Sequence, residues 1–289
     1  MSPSAFLAIE TGGTKIVWRI EDSDGAVLDE GRFPSGKPED VVQGLTAVVA
    51  GRGIAAFAIA GFGPLVVDPG SPDYGLMLAT PKPGWTGFNL AKALAQHLDA
   101  PFAVDTDVNA AAVAEARLGA GRGARAVAYV TVGTGIGGGL YIEGRTLKGA
   151  LHPEIGHLFV RRAAGDAQPG LCPFHGDCIE GMAAGPAVQA RLQGRRLEDA
   201  PEVMGHVADY LGQLVASLVF AWAPDRIVFG GGVMSTSGML AQVEAAARRS
   251  VANYGSAVIM GDGPYLVSAS LKNAGLDGAM LMARDLLNR

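Results

Sequence analysis

The densest chemistry in the chain lies between residues 152 and 180. His152-Pro153-Glu154-Ile155-Gly156-His157 is followed by Cys172-Pro173-Phe174-His175-Gly176-Asp177-Cys178, and both cysteines of the protein fall in the second stretch. Cys-x-x-His-x-x-Cys, with His157 fifteen residues ahead of Cys172, supplies two thiolates and two imidazoles. That is the closed, tetrahedral donor set of a structural zinc site, so His157, Cys172, His175 and Cys178 are the expected ligands. His152 competes for the fourth position. Without a metal, the same pattern reads as two buried reduced thiols and two surface imidazoles.

A second centre is Asp105-Thr106-Asp107-Val108-Asn109, where an apolar strand over 102–104 meets a helix expected over 108–118. Ligands of α/β sheets bind at the carboxyl ends of strands. A carboxylate placed there can take a hydroxyl proton while the oxygen attacks phosphorus. Asp107 can instead cap the helix. One carboxylate does not easily do both, so Asp105 or Thr106 is expected to take the structural role.

Three glycine clusters complete the inventory. Glu10-Thr11-Gly12-Gly13-Thr14-Lys15 joins two apolar runs, and its N–H groups, hydroxyl and ammonium suit phosphate oxygens. A plain tight hairpin is the alternative. Thr131-Val132-Gly133-Thr134-Gly135-Ile136-Gly137-Gly138-Gly139 holds more glycine than a turn needs, which implies that something packs directly on backbone. Gly133, Gly135 and Gly138 match G-x-G-x-x-G, but a strand over 140–142 follows where a dinucleotide site needs a helix. Ile227-Val228-Phe229-Gly230-Gly231-Gly232-Val233 ends a strand in flat backbone suited to a base or ribose, or simply turns into a helix.

These clusters need strands to carry them. Apolar runs predict strands over 6–9, 16–20, 27–33, 54–60, 102–104, 126–132, 140–142, 226–229 and 265–268. Helical spacing and start signals predict helices over 38–51, 89–98, 108–118, 203–222, 240–251 and 276–287. Strand, glycine turn, strand occurs twice, each time followed by alternating helices and strands, which reads as a duplicated architecture. The expected fold is therefore α/β with two lobes and a cleft between them. The smaller lobe is expected over 1–107, completed by the helix in 275–289, and the larger over 108–274 with a metal loop at 152–180.

Composition closes off other classes. With 289 residues, 49% hydrophobic and 18% charged, the chain is not intrinsically disordered. A net charge of −5 is no nucleic-acid footprint. No uninterrupted apolar run reaches the ~18–20 residues of a membrane span. The start, MSPSAFLAIE, has no basic or apolar region of secretory type. A cytoplasmic protein is expected, without nucleic-acid or membrane partners.

Taken together, the motifs resemble the ROK family of sugar kinases over nearly the whole chain and in the right order. Family members carry D-x-G-G-T-K, where this chain has Glu10 for the Asp. Asp107-Val108-Asn109 matches D-x-N, and Glu154 to His157 matches E-x-G-H. The family's zinc loop is C-x-C-G-x-x-G-C-x-E, here C-P-F-H-G-D-C-I-E with His175 in place of one cysteine. Glu10, Thr80-Pro81-Lys82-Pro83-Gly84-Trp85 and the histidine-containing loop resemble the bacterial fructokinase branch more than the glucokinase branch.

The resemblance implies two ribonuclease-H-like lobes of the actin-like ATPase and sugar kinase type, closing on ATP and a hexose. It implies that Asp107 is the base, with Asn109 in the same site. Glu154, His157 and Glu180 would bind sugar hydroxyls, and Gly61, Phe62, Gly63 and Pro64 would form a sugar wall. Gly12, Gly13, Thr14 and Lys15 would hold phosphates, Thr134 and Gly135 would lie near the γ-phosphate, and Gly231 and Gly232 by the adenosine. It implies structural Zn²⁺, Mg²⁺ with ATP, and a homodimer. Fructose is the expected substrate, with mannose, glucose and N-acetylmannosamine behind it. The reading from a different class is a sugar-sensing regulator that has lost the chemistry.

Overall fold

The computed structural model describes residues 5–252, 254–261 and 264–288. In chain order the elements are β1 (Ala5–Thr11), β2 (Lys15–Asp22), β3 (Val27–Pro34), α1 (Pro38–Val49), β4 (Ile54–Gly61), α2 (Leu90–Ala95), β5 (Phe102–Thr106) and α3 (Asp107–Arg117). They continue as β6 (Ala126–Val132), β7 (Ile136–Ile142), β8 (Arg145–Thr146), α4 (Ile179–Ala183), α5 (Gly185–Leu192) and α6 (Pro201–Ala221). The last are β9 (Arg226–Gly230), α7 (Met239–Val251), β10 (Leu266–Ser268) and α8 (Ala274–Asp285).

The chain divides into two compact units. The first takes the chain up to Ala114, Thr146–His152 and the segment from Asn273 onward; the second takes Glu115–Arg145 and Pro153–Lys272. Against the expected division after 107, all but the end of α3 goes with the first unit, and so does a seven-residue strap from the middle of the sequence. The outermost expected limits, 1 and 289, lie outside the described residues.

In the first unit the sheet order is β3-β2-β1-β4-β5. β1 and β2 pair antiparallel, while β1, β4 and β5 run parallel. β1 is a nearly continuous apolar run because helices cover both its faces. One face packs Leu7, Ile9, Ile16, Phe57 and Ile59 on Val41 and Leu45 of α1 and Leu90 and Leu94 of α2. α1 starts with Pro38 and carries Glu39 and Asp40 in its first turn, where fixed φ and negative charge both favour a helix start. The other face is lined by Ala8, Ala56, Ala58 and Ala60, which let α8 approach closely. A Cβ at Gly278 of α8 would lie 1.9 Å from the Ala110 carbonyl oxygen.

The second sheet has the order β10-β9-β6-β7-β8, the same plan as the first. β6 and β7 pair antiparallel, and β6, β9 and β10 run parallel. α6 is long and apolar enough to cross a membrane by length and composition, but most of that stretch is buried inside the protein. Leu211, Leu214, Val215 and Leu218 lie in the core of this unit.

The structure departs from expectation in β8, which the expected strands omit, and above all in β7. β7 begins at Ile136, so Gly137, Gly138 and Gly139 lie inside a strand and not in a turn. Glycine has no β preference, so local sequence does not show such a strand; pairing with β6 imposes it, Val130 opposite Gly138. The short helices α4 and α5 also follow from contacts that local periodicity does not reveal.

Candidate active site and metal centre

At the carboxyl edge of the first sheet, Thr11 ends opposite Gly61, and Gly61 opposite Thr106. Three neighbouring parallel strands thus present the Gly12–Thr14 turn, the Gly61-Phe62-Gly63-Pro64 segment and Asp105-Thr106-Asp107-Val108-Asn109 side by side. The Gly12 N–H donates to the Lys15 carbonyl at 2.9 Å, closing the turn. Gly13, Thr14 and Lys15 are exposed. The Phe62 N–H donates to Thr11 Oγ1 at 3.3 Å, tying the second segment to the first. The Gly63–Pro64 bond is cis.

The aspartates divide their labour. Thr106 Oγ1 accepts from the Asn109 N–H at 3.1 Å, so Thr106 caps α3. Asp105 is 2% exposed. It accepts from the Thr106 N–H (2.8 Å), Asn109 Nδ2 (2.7 Å) and Thr146 Oγ1 (2.8 Å) and pairs with Lys148 Nζ at 2.8 Å. That set makes it an organiser. Asp107 is half-buried and accepts from the Val108 N–H at 2.8 Å. Asn109 is fully buried, and its Oδ1 has no hydrogen-bond partner among the described residues. An acceptor left unpaired in this way costs about 1–3 kcal/mol unless a ligand or water satisfies it.

Glu10 lies at the end of β1, half-buried, and burial pushes its carboxyl above the ordinary range against the pull of Lys15. A Cβ at Gly275 would lie 2.8 Å from its carboxyl carbon, so Gly275 makes room for the longer acid.

In the second unit, β6 and β9 also end together, Thr131 opposite Gly230. The Gly133-Thr134-Gly135 turn closes by a bond from the Gly133 N–H to the Gly135 carbonyl at 2.9 Å. The Gly185 N–H donates to the Gly133 carbonyl at 2.7 Å, and the Ile136 N–H donates to Glu180 Oε2 at 3.0 Å. Gly231 has φ +91°, and a Cβ there would lie 2.3 Å from the Val132 carbonyl oxygen. Gly133, Thr134, Gly135, Glu180, Gly231 and Gly232 are therefore gathered at one edge. The excess glycine in β7 answers to the chain itself: a Cβ at Gly138 would lie 2.3 Å from Ile155 Cδ1. Ile155 opens the short 3₁₀ turn Ile155–His157, and Glu154 stands exposed just before it.

That turn delivers His157 to the metal loop. The ligand atoms of His157, Cys172, His175 and Cys178 all lie within 4.8 Å of one another. Cys172 Sγ is 3.9 Å from His157 Nδ1 and 3.7 Å from His175 Nδ1, and Cys178 Sγ is 3.6 Å from His157 Nδ1. A tetrahedron with bonds of ~2.3 Å to sulfur and ~2.0 Å to nitrogen has edges of about 3.3–3.8 Å; these three separations lie close to that range, and two thiols with two imidazoles are the donor chemistry of zinc. Burial pushes the Cys178 thiol up. Cys178 immediately precedes α4, which carries Glu180. The competing ligand, His152, is not in the cluster: it belongs to the first unit, where its Nε2 accepts from the Leu65 N–H at 3.2 Å.

Three features escape sequence inspection. Lys82 donates to the Gly12 carbonyl at 2.9 Å across seventy residues. Lys148 reaches Asp105. Arg191 pairs with Asp166 at 2.8 Å in the core of the second unit, and Tyr210 OH donates to the same carboxylate at 2.6 Å. Burial opposes ionisation of Asp166, but the bonds from Arg191 and Tyr210 outweigh it and hold the carboxyl below its usual range. Burial, then the hydrogen bond to Asp166, push the Tyr210 hydroxyl up to about 12. Only Lys82 carried a signal, its place in the Thr80 to Trp85 stretch.

Two α/β sheets of one topology, with glycine turns at their carboxyl edges and a Cys/His cluster beside one of them, define the sugar kinase class. Within it, the chain belongs to the ROK family, which it matches over residues 6–286. It is 40% identical over 250 residues to a fructokinase of Zymomonas mobilis, covering 81% of this chain and 82% of that one. It is 34% identical over 284 residues to a fructokinase of Pediococcus pentosaceus, covering 97% and 98%. The ROK hexokinase of Thermus thermophilus superposes with a TM-score of 0.76 at 29% identity, covering 98% of this chain and 99% of that one.

Proposed function

We propose that the protein is a fructokinase that transfers the γ-phosphoryl group of MgATP to a fructose hydroxyl, with Asp107 as the base. The observation that carries the reading is the place of Asp107, half-buried at the edge where three strands end, beside Thr106 that caps α3. The sugar oxygen attacks the γ-phosphorus, the bond to ADP breaks, and the hydroxyl proton passes to the Asp107 carboxylate. From the first unit, Asn109 offers its buried Oδ1, and Gly61, Gly63 and Pro64 form a wall against the sugar. From the second, Glu154 and Glu180 accept from hydroxyls, and His157 faces the sugar. Gly12, Gly13, Thr14, Lys15, Thr134 and Gly135 hold phosphates, and Gly231 with Gly232 lies along the adenosine. The phosphate turns hold few cations, and Mg²⁺ neutralises the charge that phosphoryl transfer develops. Zinc on His157, Cys172, His175 and Cys178 supplies structure, fixing the loop that leads into α4 and Glu180. The same reading has the enzyme work in the cytoplasm as a homodimer.

The 40% and 34% identities to fructokinases support fructose over other hexoses. The test is ADP release with MgATP against fructose, mannose, glucose and N-acetylmannosamine. Highest kcat/KM with fructose is the expected result. A preference for another hexose overturns the substrate assignment, and silence with all four, from folded and zinc-loaded protein, overturns the catalytic reading in favour of a sugar sensor.

A further inference from the structure

The stretch Thr80-Pro81-Lys82-Pro83-Gly84-Trp85 has no part in the roles assigned above, yet its lysine touches the phosphate turn. Lys82 Nζ donates to the Gly12 carbonyl at 2.9 Å and to Ser35 Oγ. The ammonium also lies over two aromatic faces, 4.5 Å from the Phe62 ring centre and 4.9 Å from that of Trp85. Trp85 is buried and its Nε1 donates to the Gly36 carbonyl at 3.1 Å, while the Ser35 N–H donates to the Thr14 carbonyl at 3.0 Å. The loop is thus fastened to both sides of the turn, and prolines on either side of Lys82 restrict its backbone.

The consequence for the turn is geometric. A trans peptide points its C=O and the following N–H in opposite directions. Holding the Gly12 carbonyl on Lys82 therefore directs the Gly13 N–H away from Lys82. Gly12 and Gly13 are consecutive glycines, and such a peptide rotates freely unless it is pinned. We propose that Lys82 is a positioning residue for phosphoryl transfer, pinning the Gly12–Gly13 peptide so that the turn offers its N–H groups to the nucleotide phosphates. This rests on the reading of that turn as a phosphate site. Burial lowers the Lys82 pKa.

The test measures binding of a non-hydrolysable ATP analogue with Mg²⁺ by calorimetry, beside KM for MgATP, KM for fructose and kcat, in wild type, K82M and K82R. K82M is expected to weaken analogue binding by about tenfold to a hundredfold, the worth of a hydrogen bond to a charged group. It should raise KM for MgATP in step, leave KM for fructose within about threefold and keep Tm within a few degrees. K82R keeps a cation, a donor and the aromatic contact, and should recover most of the analogue affinity. Wild-type analogue affinity in K82M overturns the proposal. So does an equal loss in K82M and K82R with KM for fructose rising alike, because that marks general packing. If K82M does not fold, K82Q decides on the same readout, tenfold weaker binding supporting the proposal and none overturning it. Wild type that binds the analogue but phosphorylates no hexose defeats the sugar kinase reading and leaves Lys82 to be judged on binding. Wild type that binds no analogue defeats both.

Discussion

The β1–β2 and β6–β7 turns close equivalent strand pairs in two sheets of the same topology, but they are fixed by different means. The first is open: a Cβ at Gly13 would meet nothing within 4 Å. Its anchor is a cation arriving from a loop seventy residues away. The second is held by backbone and side-chain bonds from the segment 180–185. The Gly185 N–H holds the Gly133 carbonyl, Glu180 holds the Ile136 N–H, and a Cβ at Gly135 would lie 2.6 Å from Glu180 Oε2. Glu180 stands two residues beyond the candidate metal ligand Cys178, so the second turn is mechanically joined to that loop. One architecture used twice fixes where a turn falls, and leaves open what holds it there.

Removing the metal should separate the two turns most widely. Structural zinc contributes on the order of 10 kcal/mol to the folding of small zinc modules. Cys178→Ser, or wild type stripped by chelator, is expected to lose hydrogen-exchange protection over 133–185 while 5–61 stays protected. Elemental analysis of wild type should give about one zinc per chain. Equal loss of protection in both segments would erase the contrast.

At the first edge, Asp107→Asn should lower kcat by about 10²–10⁴-fold. Its Tm should stay within a few degrees of wild type, because Thr106 caps the helix. A large fall in Tm would show that the edge is scaffold and not chemistry.

The buried Asp166–Arg191 pair belongs wholly to the second unit. Asp166→Asn strands the Arg191 charge and should cost about 3–5 kcal/mol in urea unfolding at pH 7. The depressed carboxyl contributes stability above its ordinary pKa of 3.8 and loses it as the pH falls through the lower folded-state value. The gap between wild type and variant should therefore narrow in acid; a gap unchanged by pH would mean that the ion pair is not its source.

The smallest effects compare glycines. Gly138→Ala meets Ile155 and the Tyr129 carbonyl and should cost about 1–3 kcal/mol. Gly13→Ala enters open space and should stay within about 0.5 kcal/mol of wild type in stability, while raising KM for MgATP. Equal destabilisation by the two would remove the distinction between the open first turn and the packed strand that follows the second.

Much of this was legible in the sequence because its signals are local. Apolar runs such as Ile54–Gly61 announce strands, Pro38 with Glu39 and Asp40 announces a helix start, and both cysteines fall in one short loop beside His175. The spacing of His157 and the two cysteines was enough to name a ligand set that the structure brings together, and to set His152 beside it as a rival that the structure removes. Other features carry no local mark. Lys82 on Gly12, Lys148 on Asp105 and Arg191 on Asp166 join residues that only tertiary folding makes neighbours. Gly137 to Gly139 look like a turn because strand pairing, not side-chain preference, makes them a strand. The assignment of helix capping to Thr106 over Asp107 turns on one hydroxyl rotamer, which spacing alone does not set.

Thr146–His152 folds with the first unit although the sequence on either side of it folds with the second. Neither unit is thus one continuous piece of chain. A fragment ending near Ala114 would lack α8, whose Leu276, Ala279 and Met280 cover one face of the first sheet, and would lack the Lys148 that pairs with Asp105. A fragment of 115–272 would carry the strap with nothing to dock on. Split reporters and separately expressed halves are therefore poor ways to study this enzyme, and tags or cleavage sites are better placed in the exposed turn at Asp24-Gly25 than at the apparent domain junctions.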